Sequence, residues 1–153
     1  MRVIKLGFIS VVIFFVLLTL GGLLLPSHNI VSRAVNIKAK PISILPLIQN
    51  KSQWHMWMEG MDSTTLNKRQ QIQIISASDS LIVANWKTAE ANYTTKFRLI
   101  YSPGQAVTIV QWQFEQDIAW YPWERISSLM NDKILGTLME KNLAKLQLVV
   151  EAN

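Results

Sequence analysis

Cysteine is absent from the 153 residues. Its absence excludes disulfides, thiolate nucleophiles, cysteine metal sites and a lipidated N-terminal cysteine. Histidine occurs twice, at His28 and His55, with no HxxxH or His–carboxylate spacing, so no metal and no cofactor is expected. The serines lack a Gly-x-Ser-x-Gly elbow. Basic residues form no run or stripe, which argues against nucleic-acid binding. The net charge of +5 falls to +3 once Arg2 and Lys5 are set aside, because both precede a long apolar run. That remainder suits mild attraction to an anionic membrane surface. Internal repeats and low-complexity segments are missing too, and the length suits one domain.

Hydrophobic residues make up half of the chain and are unevenly placed. "LGFISVVIFFVLLTLGGLLL", Leu6 to Leu25, carries no charged residue. A helix of about 20 residues rises about 30 Å, enough to cross a bilayer core. The run ends in "LLLPSHN" without the small-x-small site of a cleaved signal, so residues 1–26 are read as an uncleaved transmembrane anchor. Arg2 and Lys5 lie closer to the span than Arg33, Lys38 and Lys40 on its far side. The positive-inside rule then puts the N-terminus in the cytoplasm. The domain, residues 27–153, is expected outside, in the periplasm if the source is bacterial.

Beyond Pro26 the pattern turns to strands and helices. "NIVSRAVNIKA" alternates Val31, Arg33, Val35 and Ile37 with Ile30, Ser32, Ala34 and Asn36, as a strand does. Pro41 stops it and suits the first turn of a helix. Pro46 should distort or end that helix, and Asn50 can cap a second one, "KSQWHMW". Trp54 and Trp57, three apart, then share a face. "MEGMDSTTLNKRQ" is polar and turn-like. Four strands follow: "QIQIIS", "SLIVANW", "YTTKFRLIYS" and "AVTIVQWQFEQ", the last two joined through "SPG". Ile134, Leu138, Leu143, Leu146 and Val150 mark a C-terminal helix running to about Val150, with Asn131 or Asp132 as its cap.

Two segments carry a family resemblance. "SRAVNIKAKPISILPLIQNKSQWHMW" resembles the opening of the polyketide cyclase/dehydrase group of the START-like, or Bet v 1-like (SRPBCC), superfamily. "MNDKILGTLMEKNLAKLQLVVE", with Gly136, Leu143 and Leu146, resembles its ending. A membrane span ending in "LLLPS" also occurs in that group. The resemblance implies an α+β helix grip: a curved antiparallel sheet, two short helices and a long C-terminal helix, following the N-terminal transmembrane helix. One departure stands out. The family's hairpin after the tryptophan pair, with its glycine-rich strand, has no counterpart here, so the sheet is expected to keep about five strands.

In such a grip Trp54, Trp57, Trp86, Phe97, Leu99, Tyr101, Trp112, Leu138 and Leu146 are candidates to line a cavity for an apolar ligand. The competing reading is a filled aromatic core. "IAWYPWERI" is read as a lid, a membrane-interface wedge or a loop folded onto the sheet. Glu115, Asp117, Glu124 and Arg125 cluster in sequence and could serve an aldol-type cyclisation, though such residues are more often a solvated strand end and helix start. The expected function is a membrane-anchored START-like domain that binds a small apolar ligand or lipid without turnover. The alternatives are a structural or interaction domain with a filled core and, further off, a polyketide cyclase/dehydrase-like enzyme. The expected partners are the membrane and an apolar small molecule or lipid, with no nucleic acid; any protein partner is left open.

Overall fold

The computed structural model describes residues 2–24, 27–59, 70–88, 92–118 and 121–152; for residues 2, 3, 22, 23, 70, 88, 122, 123 and 126–131 it describes the backbone alone. Helix α1, Arg2–Leu23, is followed by strand β1, His28–Ile37, helix α2, Pro41–Gln49, and a 3-10 helix, Lys51–Met56. Strands β2, Gln70–Ala77, β3, Leu81–Thr88, β4, Asn92–Ser102, and β5, Val107–Asp117, come next, and helix α3, Pro122–Glu151, closes the order. The described strands form one antiparallel sheet in the order β1-β5-β4-β3-β2. This is the expected α+β grip with five strands. Residues 60–69, most of the polar segment read as a turn, lie outside the described residues.

The alternation read from the strands sets the two faces of the sheet. Val31 and Ile37 of β1, Ile82 and Ala84 of β3, Thr95, Phe97 and Leu99 of β4, and Thr108, Val110, Trp112 and Phe114 of β5 are buried on the concave face. Cross-strand neighbours there are Arg33 with Trp112, Trp112 with Phe97, and Phe97 with Ile82. β2 carries an irregularity between Ile74 and Ser76, which leaves Ile75 62% exposed on this edge strand.

Three local expectations are corrected. Pro46 lies inside α2, which continues three residues past it to Gln49. A proline there forfeits one backbone bond, and burial of Ile44, Leu47 and Ile48 on the same short helix compensates. Asn50 makes no side-chain cap to the 3-10 helix. Helix α3 begins at Pro122, well ahead of Asn131 and Asp132. Pro122 occupies the first turn, where a missing N–H costs nothing, and Glu124 suits the positive helix end. The start was written in "YPWE", where aromatics masked it. Most of "IAWYPWERI" is therefore the first turn of α3, whereas residues 119 and 120 lie outside the described residues.

The buried stripe of α3 also differs from the expected one. Met139, Leu143, Leu146 and Val150 are buried, with Leu135 and Val149 packed beside them. Ile134 is 68% exposed and Leu138 41% exposed. Leu138 is five residues from Leu143, about 140° around a helix at 3.6 residues per turn, so the two cannot share a face. Leu138 is accordingly no wall of the interior.

α1 is the single described helix long and apolar enough to cross a membrane, a test that a signal sequence also passes. Its apolar side chains from Ile4 to Leu20 are exposed. The main chain ties the start of the domain to the end of the sheet, because Ile118 N–H donates to Ser27 O at 2.9 Å.

Candidate functional site

The grip interior is an aromatic cluster assembled from three segments. The 3-10 helix brings Trp54, with Trp57 at its end. Three residues make one turn of a 3-10 helix, so the sequence spacing stacks the two indoles on one side. β4 brings Phe97 and β5 brings Trp112, on the inward face fixed by the two-residue period. Trp57 meets Phe97 and Trp112 edge to face, with centroids 6.0 Å apart in both pairs. Phe97 stacks on Trp112 at 5.1 Å, and Trp54 meets Phe97 at 6.1 Å and Trp86 at 6.4 Å. Offset and edge-to-face pairs of this kind add about 0.5–1.5 kcal/mol beyond area burial.

The polar atoms of the cluster are satisfied within the protein. Trp54 Nε1 donates to Ile48 O at 2.7 Å, and Trp57 Nε1 to Leu47 O at 3.0 Å. These two bonds join α2 to the 3-10 helix and explain why the two prolines and two tryptophans sit together. Trp112 Nε1 donates to Thr95 Oγ1 at 2.6 Å, and Thr95 passes its own proton to Gln113 O at 3.3 Å. Thr108 Oγ1 donates to Ala39 O at 2.6 Å. Asn142, 1% exposed on α3, accepts the Glu59 N–H at 2.8 Å and closes the far side of the tryptophan pair. Sequence reasoning missed Asn142, whose partner Glu59 lies 83 residues away in the chain.

Of the nine residues expected to line a cavity, Trp54, Trp57, Phe97, Leu99, Trp112 and Leu146 are buried in this cluster or against it. Trp86 is half-buried at its rim, 5.5 Å from Phe114, and Tyr93 meets the same ring at 5.1 Å. Tyr101 is half-buried beyond the cluster and borders an open surface groove with Lys40, Pro41, Ile42, Leu45 and Asp79. A second open groove runs along Ile4, Lys5, Phe8 and Ile9 of α1. The aromatic cluster lines neither groove.

Of the four charged residues considered for catalysis, Glu115 and Asp117 are each paired elsewhere. Glu115 pairs with Lys96 at 2.6 Å on the convex face, away from the aromatics. Asp117 pairs at 2.7 Å with Nδ1 of His28, the first residue of β1. Glu124 is exposed, and Arg125 is buried on α3. His55 is exposed, its Nδ1 2.6 Å from Ser52 O. Among the described residues no three His, Asp or Glu side chains gather as a metal set.

A polar latch holds α3 to β1. Arg33 projects from the concave face beside Trp112, and its Nε donates to Glu140 Oε1 at 2.7 Å, with Asp132 3.6 Å from Nη2. The guanidinium lies directly over Gly136, where a Cβ would collide with it. At the far end, Glu151 accepts the Lys38 backbone N–H at 3.0 Å and the Gln147 side chain at 3.1 Å. The Lys38 N–H, and secondly the Gln147 amide, hold the Glu151 carboxyl below the ordinary carboxylate range.

With that geometry established, solved structures supply the comparison. A START superfamily protein from Mycobacterium smegmatis is 14% identical, with 82% of this chain covering 98% of that one at a TM-score of 0.57. The fold is START-like. CV1439 from Chromobacterium violaceum is 10% identical, with 80% of this chain covering 97% of it at 0.58. DynU16, from the dynemicin biosynthetic locus, is 9% identical at 0.60; 80% of this chain covers 47% of that protein. At such identities the likeness speaks for the fold and leaves function to the site. No family model and no curated protein matches the chain by sequence. The START-like helix grip here keeps five described strands and fills its interior with rings.

Proposed function

We propose that this protein is a single-span membrane protein, with residues 1–26 as the anchor. Residues 27–153 would then form a START-like structural or interaction domain whose interior is filled. The observation that carries the reading is the closed state of the aromatic cluster. Trp54, Trp57 and Trp112 are 0–2% exposed, and each indole N–H already has a protein acceptor. A polar ligand group entering there would have to displace those bonds, and an apolar one would have to displace the rings. α1 supports the anchor, since its apolar stretch Ile4–Gly21 rises about 27 Å with its apolar side chains exposed. The positive-inside argument puts the domain outside the cytoplasm.

A second reading, passive binding of an apolar molecule or lipid without turnover, is favoured by one feature. Trp86 and Tyr93 form a half-buried aromatic rim around Phe114. β1 starts at that end of the sheet, so the rim sits at the same end as the anchor. The enzyme reading draws less support, since Glu115 and Asp117 are each held in an ion pair away from the aromatic cluster.

Mass spectrometry of lipids retained by residues 27–153, with titration of an apolar fluorescent probe, separates the two. The filled interior predicts no retained lipid and no saturable binding. Saturable binding abolished by Trp86→Ala would establish the rim as a lipid site and overturn the filled-domain reading. Fractionation of the full chain tests the anchor: recovery in the soluble fraction, or a mature chain starting near residue 27, defeats it.

A further inference from the structure

We infer that the outer face of α3 docks on the anionic leaflet of the membrane that α1 enters. Ile134, Leu138, Lys141, Lys145 and Leu148 recur at intervals of four, three, four and three, so they lie on one side of the helix. All five are exposed, with Ile134 and Leu148 at 68%. This is the side opposite the Met139–Leu143–Leu146–Val150 stripe that packs on the sheet.

The charge on that face is of one sign for a structural reason. Asp132 and Glu140 turn towards Arg33, and Glu151 turns towards the Lys38 N–H. Lys141 and Lys145 make no ion pair among the described residues. A helix face that alternates aliphatic and lysine side chains suits the boundary between headgroups and acyl chains, with the lysine stems reaching back to phosphate. A second copy is the poorer occupant, because two such faces would set lysine against lysine.

The tether makes the bilayer available. Residues 24–27 alone separate α1 from β1, and the Ile118–Ser27 bond brings the end of β5 to that junction. α3 starts at Pro122, four residues beyond Ile118. Attachment this short raises the effective concentration of the surface for a weakly binding face. The inference rests on α1 spanning the bilayer, and the experiment separates the two claims.

The absence of native cysteine makes Leu148→Cys and Arg98→Cys clean single labelling sites. Arg98 is exposed on the convex face of the sheet. Each full-length variant would carry an environment-sensitive dye in nanodiscs of phosphatidylcholine, with or without phosphatidylglycerol, and with brominated lipid as quencher. The dye at 148 should shift to the blue and be quenched in the anionic discs. It should lose most of that signal in high salt or when Lys141→Glu and Lys145→Glu are added. The dye at 98 should stay unquenched throughout. An unquenched dye at 148 in chains that have entered anionic discs overturns the docking and leaves the anchor standing. Quenching that ignores both lipid charge and the lysine changes overturns it too, as does shielding of position 148 in detergent through self-association. Failure of the chain to enter discs would instead defeat the anchor.

Discussion

On one side of the grip Trp54, Trp57, Phe97 and Trp112 meet ring to ring, with centroids 5.1–6.2 Å apart. On the other side Arg33 reaches from β1 to Glu140 and Asp132 across the bare backbone of Gly136. The aromatic side excludes water, and its few polar atoms bond internally. The β1 side stays wet: the Arg33 side chain is 28% exposed, and its acidic partners are more than half exposed. Apolar burial scales with the area removed from water, whereas exposed ion pairs contribute about 0–1 kcal/mol. The two contacts between helix and sheet should therefore differ several-fold in their effect on stability. The aromatic corner holds the fold together, and the latch sets the position of α3.

The largest effect is expected at the centre of the aromatic side. Trp112→Ala removes a buried ring, strips Thr95 of its donor partner and leaves a void between Phe97 and Trp57. The expected loss is about 3–5 kcal/mol by urea denaturation. A loss below about 1 kcal/mol would mean that the cluster is not packed, and would reopen the cavity reading.

A smaller effect is expected where a polar bond closes the same corner. Asn142→Leu keeps the volume close but leaves the Glu59 N–H without its acceptor. Glu59 is exposed and the bond part-buried, so stranding its donor should cost near the low end of the about 1–3 kcal/mol of a buried one, which equilibrium unfolding will resolve. A stabilised variant would show that this N–H reaches water.

These two sites also show what could be read from the residues and what could not. Trp54, Trp57, Phe97 and Trp112 were legible because a three-residue helical spacing and a two-residue strand period leave each ring a single inward direction. The lateral order of the strands, β1-β5-β4-β3-β2, was not legible that way, because the period fixes faces and not neighbours. The helix α3 was legible in type but not in phase. Ile134 and Leu138 are apolar and sit near the stripe in sequence, yet counting back from Val150 by four, three and four reaches Leu146, Leu143 and Met139. Apolar identity outweighed angular position in the reading, and an exposed face passed for core. Gly136 and Asn142 were opaque for another reason. Their roles depend on Arg33 and Glu59, more than 80 residues away in the chain, and no local pattern encodes such a pairing.

The latch can be tested by a sign change. Gly136→Ala in the intact protein gains helix propensity, about 1 kcal/mol, but drives the Arg33 guanidinium off its seat. Because the obstructing atoms end a flexible side chain, the two terms should nearly cancel. In an Arg33→Ala background the three atoms nearest the new methyl are gone, and Gly136→Ala should stabilise by about 0.5–1 kcal/mol. Additive effects in the double-mutant cycle would show that Arg33 does not rest on Gly136 in solution.

The smallest expected effect is the pH response at the far end of α3. Glu151 lies in the last turn, where the helix dipole disfavours a carboxylate. The Lys38 backbone N–H and the Gln147 amide nonetheless stabilise its ionised form. Its folded-state pKa is thus depressed relative to the unfolded chain. A depressed carboxyl pKa contributes stability that is fully present above the unfolded value and is lost as pH falls through the folded one. Glu151→Gln removes the titrating group while keeping an acceptor for Lys38. Melting temperatures of the two proteins should differ at neutral pH, with the native chain higher. The gap should narrow as pH falls through the carboxylate range and close below the depressed pKa. Because this carboxyl is solvent-exposed, the gap should also shrink with added salt. A gap that stayed constant with pH would mean that Glu151 does not hold the end of β1, and that the Arg33 latch and the apolar packing anchor α3 to that strand.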